Sequence, residues 1–423
     1  MAGIYIHIPF CASKCGYCGF YSLPSLKLKE RFLEALRTEI VERKEYLSAG
    51  LIAGEDPQSP ALKRLPYTPT INTIYFGGGT PSLLSVNEIS DILHLINDTY
   101  AVASNAEITL EANPDTLSLE YLQGLHSIGI NRLSIGIQSF FDNDLKYLSR
   151  RHDSQHARQS IEWAKQAGFS NISIDLIYGL PTSNAEQWNR NLDLFFEMGL
   201  PHLSAYALTL EPNSILTKQI EQGKALPVND EDTLRDYDIL CRRAKENGYL
   251  HYEISNFCQR GMHSKHNASY WFGTPYAGFG PSAHSYDGAS RQWNKYNVER
   301  YCEDWSAASR HCEERSNLDN TLSSLDCFVV PPRNDERFGT EKESLSPEQH
   351  YDEYVMLRLR THWGIDLKWL KREMGEHFSS YCAQHAQPLI AQGRLSQTRE
   401  FLYLTDTQML FADGVAEELF WES

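Results

Sequence analysis

The 423-residue chain lacks any apolar run approaching the roughly 18 residues that a membrane-crossing helix needs. It also lacks an N-terminal basic stretch followed by an apolar one, so the expectation is a soluble, cytoplasmic protein. Positive charge is in deficit: 39 Lys and Arg stand against 55 Asp and Glu, a formal net charge of -16. That balance disfavours non-specific attraction to nucleic acid, and no nucleic-acid partner is expected. A disulfide framework is missing too. Of nine cysteines, six are scattered (Cys241, Cys258, Cys302, Cys312, Cys327, Cys382), unlike the dense pairing of small secreted domains. Internal repeats of long period are absent. What the chain does have is length beyond one ordinary core, which implies at least two domains, and three cysteines within eight residues, "CASKCGYC" at 11–18.

Short runs rich in β-branched and aromatic residues alternate with longer helical patterns. The runs are "IYIHI" (4–8), "TIYFGG" (73–78), "EITLEA" (107–112), "RLSIGI" (132–137), "ISIDLI" (172–177) and "LSAYALTL" (203–210). Stretches such as 27–47 and 153–169 set apolar residues at helical spacing against charged ones. This order predicts an α/β fold of βα repeats around a parallel sheet, a partial or full barrel whose ligands collect at the strand C-termini. Residues 1–225 form that barrel core and 226–305 an extension: a helix at 229–248, then an aromatic, glycine-rich segment at 269–288 that reads as a structured loop region. Residues 306–346 are polar and aperiodic, an insertion or linker dispensable for the fold. Residues 347–423 regain periodicity and read as helices, a hairpin and a last helix, a small winged-helix-like module.

Three clustered thiolates serve as zinc ligands, redox thiols or ligands of an iron-sulfur cluster. Structural zinc takes four ligands, normally in paired C-x2-C units, and His7 as a fourth would sit inside a strand pattern. A 4Fe-4S cluster usually takes four cysteines. With three, one iron stays open to a small molecule, and such an iron can bind the amino and carboxylate groups of S-adenosylmethionine and pass an electron to its sulfonium.

The C-x3-C-x2-C spacing of Cys11, Cys15 and Cys18, with Tyr17 before the third cysteine and a strand before the first, resembles the radical SAM enzymes. "FGGGTP" (76–81) lacks the Gly-Lys-Ser/Thr ending of a phosphate loop. Taken alone it reads as a tight βα turn; the resemblance implies that Gly78, Gly79 and Thr80 lie along the methionine part of the cofactor. "YIHIPFCASKCGYC", "GGGTPSLL", "LEANPDTL", "NRLSIGIQSF", "LSRRHD", "IDLIYGLP" and "GFGPSAHSY" together are similar to the oxygen-independent coproporphyrinogen III oxidase group, over roughly residues 3–300 and 347–420. The resemblance implies a radical SAM partial barrel, with Tyr5, Tyr17, Glu111, Gln138, Arg150 and Asp175 around S-adenosylmethionine. Each of these also reads as a polar barrel-rim residue satisfied by its neighbours, and Arg150 with Arg151 as a solvated helix end.

Members of that group that oxidise porphyrinogen carry a fourth cysteine two residues beyond the third and a longer segment before the first strand. Here Phe20 stands at the cysteine position and the strand begins near Ile4. "HNASYW" (266–271) fits the H-N-x-x-Y-W pattern of the heme-binding members. The resemblance therefore implies His266 as an axial heme ligand and Asn267, Tyr270 and Trp271 beside the porphyrin, with His263, His284 and Cys258 as alternatives for the iron. The bland alternative is that His266 and Asn267 make structural hydrogen bonds and the aromatics are core. Two functions follow. One is a heme chaperone that binds a 4Fe-4S cluster, S-adenosylmethionine and heme and delivers heme to apo-proteins of a respiratory chain. A second copy of the chain and peripheral membrane proteins are its other implied contacts. The other is an oxidase converting two porphyrinogen propionates to vinyl groups. No catalytic residue is assigned in either.

Overall fold

The computed structural model describes residues 1–19, 21–49, 69–212, 214–306 and 340–422. Phe20 and most of the proposed insertion, 307–339, lie outside the described residues. The chain divides into two compact units, Met1–Lys14 with Phe20–Glu111 and Thr274–Ser344, and Cys15–Gly19 with Ala112–Gly273 and Leu345–Ser423.

In the first unit the strands are β1 (Ala2–Ile8), β2 (Ile71–Gly78) and β3 (Val102–Ala112), which run parallel in that order. Ile4, Ile6 and Ile8 are buried, and their register partners Ile74 and Phe76 on β2 are buried with them, so these strands read as nearly continuous apolar runs. On the other side of β1 lies β9 (Tyr276–Phe279), also parallel, followed by antiparallel β10 (His284–Tyr286), β11 (Ser290–Asn294) and β12 (Thr340–Ser344). Two expectations are corrected here. Residues 276–279 and 284–286, expected within a loop region, are strands, because Gly278 lets two backbones meet: a Cβ there would lie 2.0 Å from the His284 carbonyl oxygen. Residues 340–344, assigned to the linker, pair with β11. Their sequence, Thr-Glu-Lys-Glu-Ser, shows no apolar alternation because the strand is almost wholly exposed, where charges discourage edge-to-edge pairing. The helix Val86–Thr99 opens on a capping box between Ser85 and Glu88.

In the second unit β4 (Arg132–Gln138), β5 (Ile172–Tyr178) and β6 (His202–Ala207) are parallel, then β8 (Asn256–Cys258) and β7 (Leu250–Glu253) close the edge antiparallel. Helices Leu119–Ser127, Ser154–Gln166, Ala185–Glu197 and Asp230–Glu246 alternate with these strands. Each begins on a Ser, Asp or Asn (Ser118, Asp153, Asn184, Asn229) whose side chain accepts from a first-turn N–H, which is why the starts are sharp. The same unit holds helices Pro347–Leu359, Leu367–Glu373, Glu376–Ala391 and Ala412–Glu417. With them is a three-stranded sheet of β13 (Ile365–Asp366), β15 (Phe401–Tyr403) and β14 (Ser396–Gln397), in that order. Tyr351, Val355, Leu359, Phe378, Leu402 and Leu419 are among its buried residues.

Candidate functional site

In the first unit, the loop after β1 carries Cys11. Its backbone N–H donates to the Leu23 carbonyl at 2.9 Å, and its Sγ lies 3.5 Å from the Thr80 hydroxyl. The turn after β2 closes on the same loop: Gly79 N–H donates to Ile8 O at 2.8 Å and Thr80 N–H to Phe10 O at 2.7 Å. Glycine is required there, since a Cβ on Gly79 would sit 2.5 Å from the Phe10 oxygen, and Gly78 adopts φ +104° against the His7 ring. Glu111 is the penultimate residue of β3, whereas Asp175 lies in the middle of β5 (Ile172–Tyr178) rather than at its end. The Glu111 carboxylate accepts from the Tyr75 hydroxyl at 2.7 Å and from Gly78 N–H at 3.2 Å, so it braces the glycine turn from behind. Tyr5 stands next to His7 at 3.2 Å, and burial, with the Glu111 charge second, holds its phenol protonated. His7 faces the Tyr21 carbonyl at 3.1 Å, and burial pushes it down to about 4, so it is neutral.

In the second unit, Arg150 is the organising cation. Its guanidinium donates to Cys15 Sγ at 3.3 Å, to Asn113 Oδ1 at 2.7 Å and to the Gly136 carbonyl at 2.8 Å. Arg151 does point outward, 54% exposed beside Asp115, so only the second arginine matches the solvated-end reading. Gln138 ends β4 with φ +68°, a left-handed conformation rare for its type, and is buried. Asp175 accepts from the Ser134 hydroxyl at 3.2 Å and from Ser204. Burial lifts it to about 6 despite those bonds and the charges of Arg132 and Arg150. Tyr17 is held protonated, by burial first, against the pull of Arg150. Asn113, Ser134 and Ser204 were not singled out from sequence; Asn113 lay in the quoted "LEANPDTL", but nothing in its type marked it as the partner of Arg150.

A buried hydrogen-bonded chain continues from Asp175 through Ser204 to the Ser173 hydroxyl (3.3 Å), His202 Nδ1 (2.7 Å), Tyr252 (2.8 Å from His202 Nε2) and the backbone N–H of Ser264 (3.3 Å). Ser264 caps the helix Lys265–Trp271, accepting from Asn267 N–H. On that helix His266 is 1% exposed. Its Nε2 meets the Tyr270 hydroxyl at 2.8 Å, and burial, with Arg132 second, lowers it to about 3. Asn267, Tyr270 and Trp271 are half-buried. His284 is exposed on β10, stacked against Trp293, and Cys258 is buried in β8.

Cys11, Cys15 and Cys18 are half-buried, and none is in a disulfide. Among the described residues, no three His, Cys, Asp or Glu side chains converge as a metal-binding group, and no helix is long and apolar enough to cross a membrane. The donor set fits an iron-sulfur cluster in kind: three thiols at radical SAM spacing, none in a disulfide, one of them accepting from a guanidinium.

The Radical SAM superfamily matches residues 5–195, and the HemN C-terminal domain matches 345–411. The heme chaperone HemW of Mycobacterium tuberculosis is 30% identical over 421 residues, 99% of this chain and 94% of that protein. HemW of Bacillus subtilis is 30% identical over 98% of each chain, and HemW of Synechocystis is 35% identical over 76% of each. Coproporphyrinogen III oxidase (HemN) from Escherichia coli, described as a radical SAM enzyme, superposes with a TM-score of 0.77 at 20% identity, over 99% of this chain and 90% of that one. That likeness shows the fold alone: the α/β radical SAM architecture of βα repeats followed by a C-terminal module. On this evidence the chain belongs to the HemW family of radical SAM proteins.

Proposed function

We propose that the chain is a heme carrier: it binds heme and passes it to apo-proteins of a respiratory chain, with a cluster and S-adenosylmethionine as resident cofactors. The observation that carries this reading is likeness along almost the whole chain to proteins named as heme chaperones. The intact "HNASYW" helix, Lys265–Trp271, supports it. Cys11, Cys15 and Cys18 would hold a 4Fe-4S cluster with an open iron. Bound there, the cluster supplies an electron to the sulfonium of S-adenosylmethionine. The protein's own contribution is positional. Arg150 donates to Cys15 Sγ and fixes where it points. Gly78 and Gly79 would let backbone approach the cofactor's methionine end, Glu111 braces that turn, and Asp175 would offer a carboxyl to ribose hydroxyls.

The test is anaerobic. Reconstituted protein should take up about four irons per chain, and the triple cysteine-to-alanine variant none; stoichiometric zinc without iron would remove the cluster. The same preparation, given coproporphyrinogen III, S-adenosylmethionine and a reductant, should form no protoporphyrinogen at a catalytic rate. Turnover would replace the carrier reading with the oxidase.

A further inference from the structure

The imidazole marked by the motif points inward. His266 is 1% exposed and its Nε2 is engaged by Tyr270, so an iron arriving there would have to open the helix. Two other imidazoles stand where a planar ligand can reach. His263 precedes the helix cap. His362 lies on the turn between the helix Pro347–Leu359 and β13. Both are half-buried, and among the described residues neither ring makes a hydrogen bond.

Trp363 packs with both, its ring centroid 4.4 Å from that of His362 and 6.3 Å from that of His263. Phe272, just past the motif helix and 51% exposed, meets Trp363 at 4.7 Å with the rings tilted by 56°. The buried Arg358 guanidinium lies 4.8 Å over the Phe272 ring and donates from Nε to Gly364 O at 2.8 Å, while Arg360 is paired with Asp413 at 2.7 Å. The turn is held firmly: His362 N–H donates to Tyr252 O at 3.1 Å, and Ile254 N–H to Arg360 O at 2.9 Å. Gly364 follows at φ +67°, where a Cβ would meet the Leu402 oxygen at 2.2 Å. A preorganised patch of this kind loses little freedom on binding.

Porphyrin chemistry asks for one axial donor and apolar flat surface. Resting on the heme reading above, we propose that heme docks on the patch formed by His263, Phe272, His362 and Trp363. There an imidazole of the His263 and His362 pair takes the iron and the two aromatic rings lie against the macrocycle. Burial, with His251 and His263 next, lowers the His362 pKa, which keeps its lone pair available near neutral pH.

The experiment is a hemin titration of the full chain, followed by the Soret band. The His263→Ala/His362→Ala variant should bind hemin roughly tenfold more weakly or worse and show a displaced Soret maximum, which added free imidazole moves back. His266→Ala, if its near-UV circular dichroism is native, should keep the wild-type Soret position. Should the double alanine variant lose its native circular dichroism, His263→Asn/His362→Asn takes its place. A folded double variant with wild-type affinity and spectrum would overturn the assignment, as would loss of the band in a folded His266→Ala alone. A wild-type chain that takes up no hemin would instead overturn the heme reading itself.

Discussion

Glu253 is 2% exposed on β7, its carboxylate accepting from Ser255 N–H at 3.2 Å and from the Asn256 amide. Burial outweighs those bonds and the attraction of Arg360, and pushes the carboxyl from 4.5 up to about 7. Between those two values the folded chain keeps a proton that the unfolded chain has released, so stability falls as pH rises through that window. The loss is on the order of 3 kcal/mol. Glu253→Gln should flatten the stability profile across the window and exceed the wild type above it. Denaturant midpoints at about pH 5 and about pH 8 check this; an equal gap between the two proteins at both pH values would refute it. No local pattern marks Glu253 as unusual, because its shift comes from residues folded over it. The thiols of Cys11, Cys15 and Cys18 are the opposite case, since their spacing is chemical information carried by the chain itself.

At the scale of elements, Glu39 joins the helix Lys29–Glu42 to the sheet beside β1. Fully buried, it accepts from Arg43 at 2.9 Å, Gly280 N–H at 2.8 Å, Asn294 at 2.7 Å and the Tyr301 hydroxyl at 2.6 Å. Glu39→Ala would leave Arg43, whose side chain is 9% exposed, without its buried countercharge. The expected cost is about 3–5 kcal/mol, read as a lower denaturant midpoint at unchanged slope; a loss under ~1 kcal/mol would show that the network is redundant. Strands β1, β2, β4 and β5 were legible because they are buried along nearly their whole length and so run apolar. β9, β10 and β12 were not: glycines and exposed charges replace alternation, and only pairing with their neighbours makes them strands.

For the whole molecule, the two proposed sites use separate stretches of chain: Cys11 to Cys18 for the proposed cluster, and His263 to Phe272 with His362 and Trp363 for the proposed heme patch. The Cys11→Ala/Cys15→Ala/Cys18→Ala variant should therefore take up no iron on reconstitution yet bind hemin with the wild-type Soret band and affinity. Iron analysis and hemin titration of one preparation check both halves. A folded variant that also loses hemin would show that the cluster helps build the heme site.

The order of βα units, the cysteine triad, the glycine turn and the family were determined by the sequence alone, since spacing and apolar runs are local properties. Only the tertiary structure decided that Asn113 and Gly136 hold Arg150 against Cys15, that Ser134 and Ser204 bond Asp175, and that His266 is buried against Tyr270. It alone brings His362, 96 residues beyond His266, beside the motif helix. Burial and partnership are set by segments distant in the chain, and no window of sequence contains them.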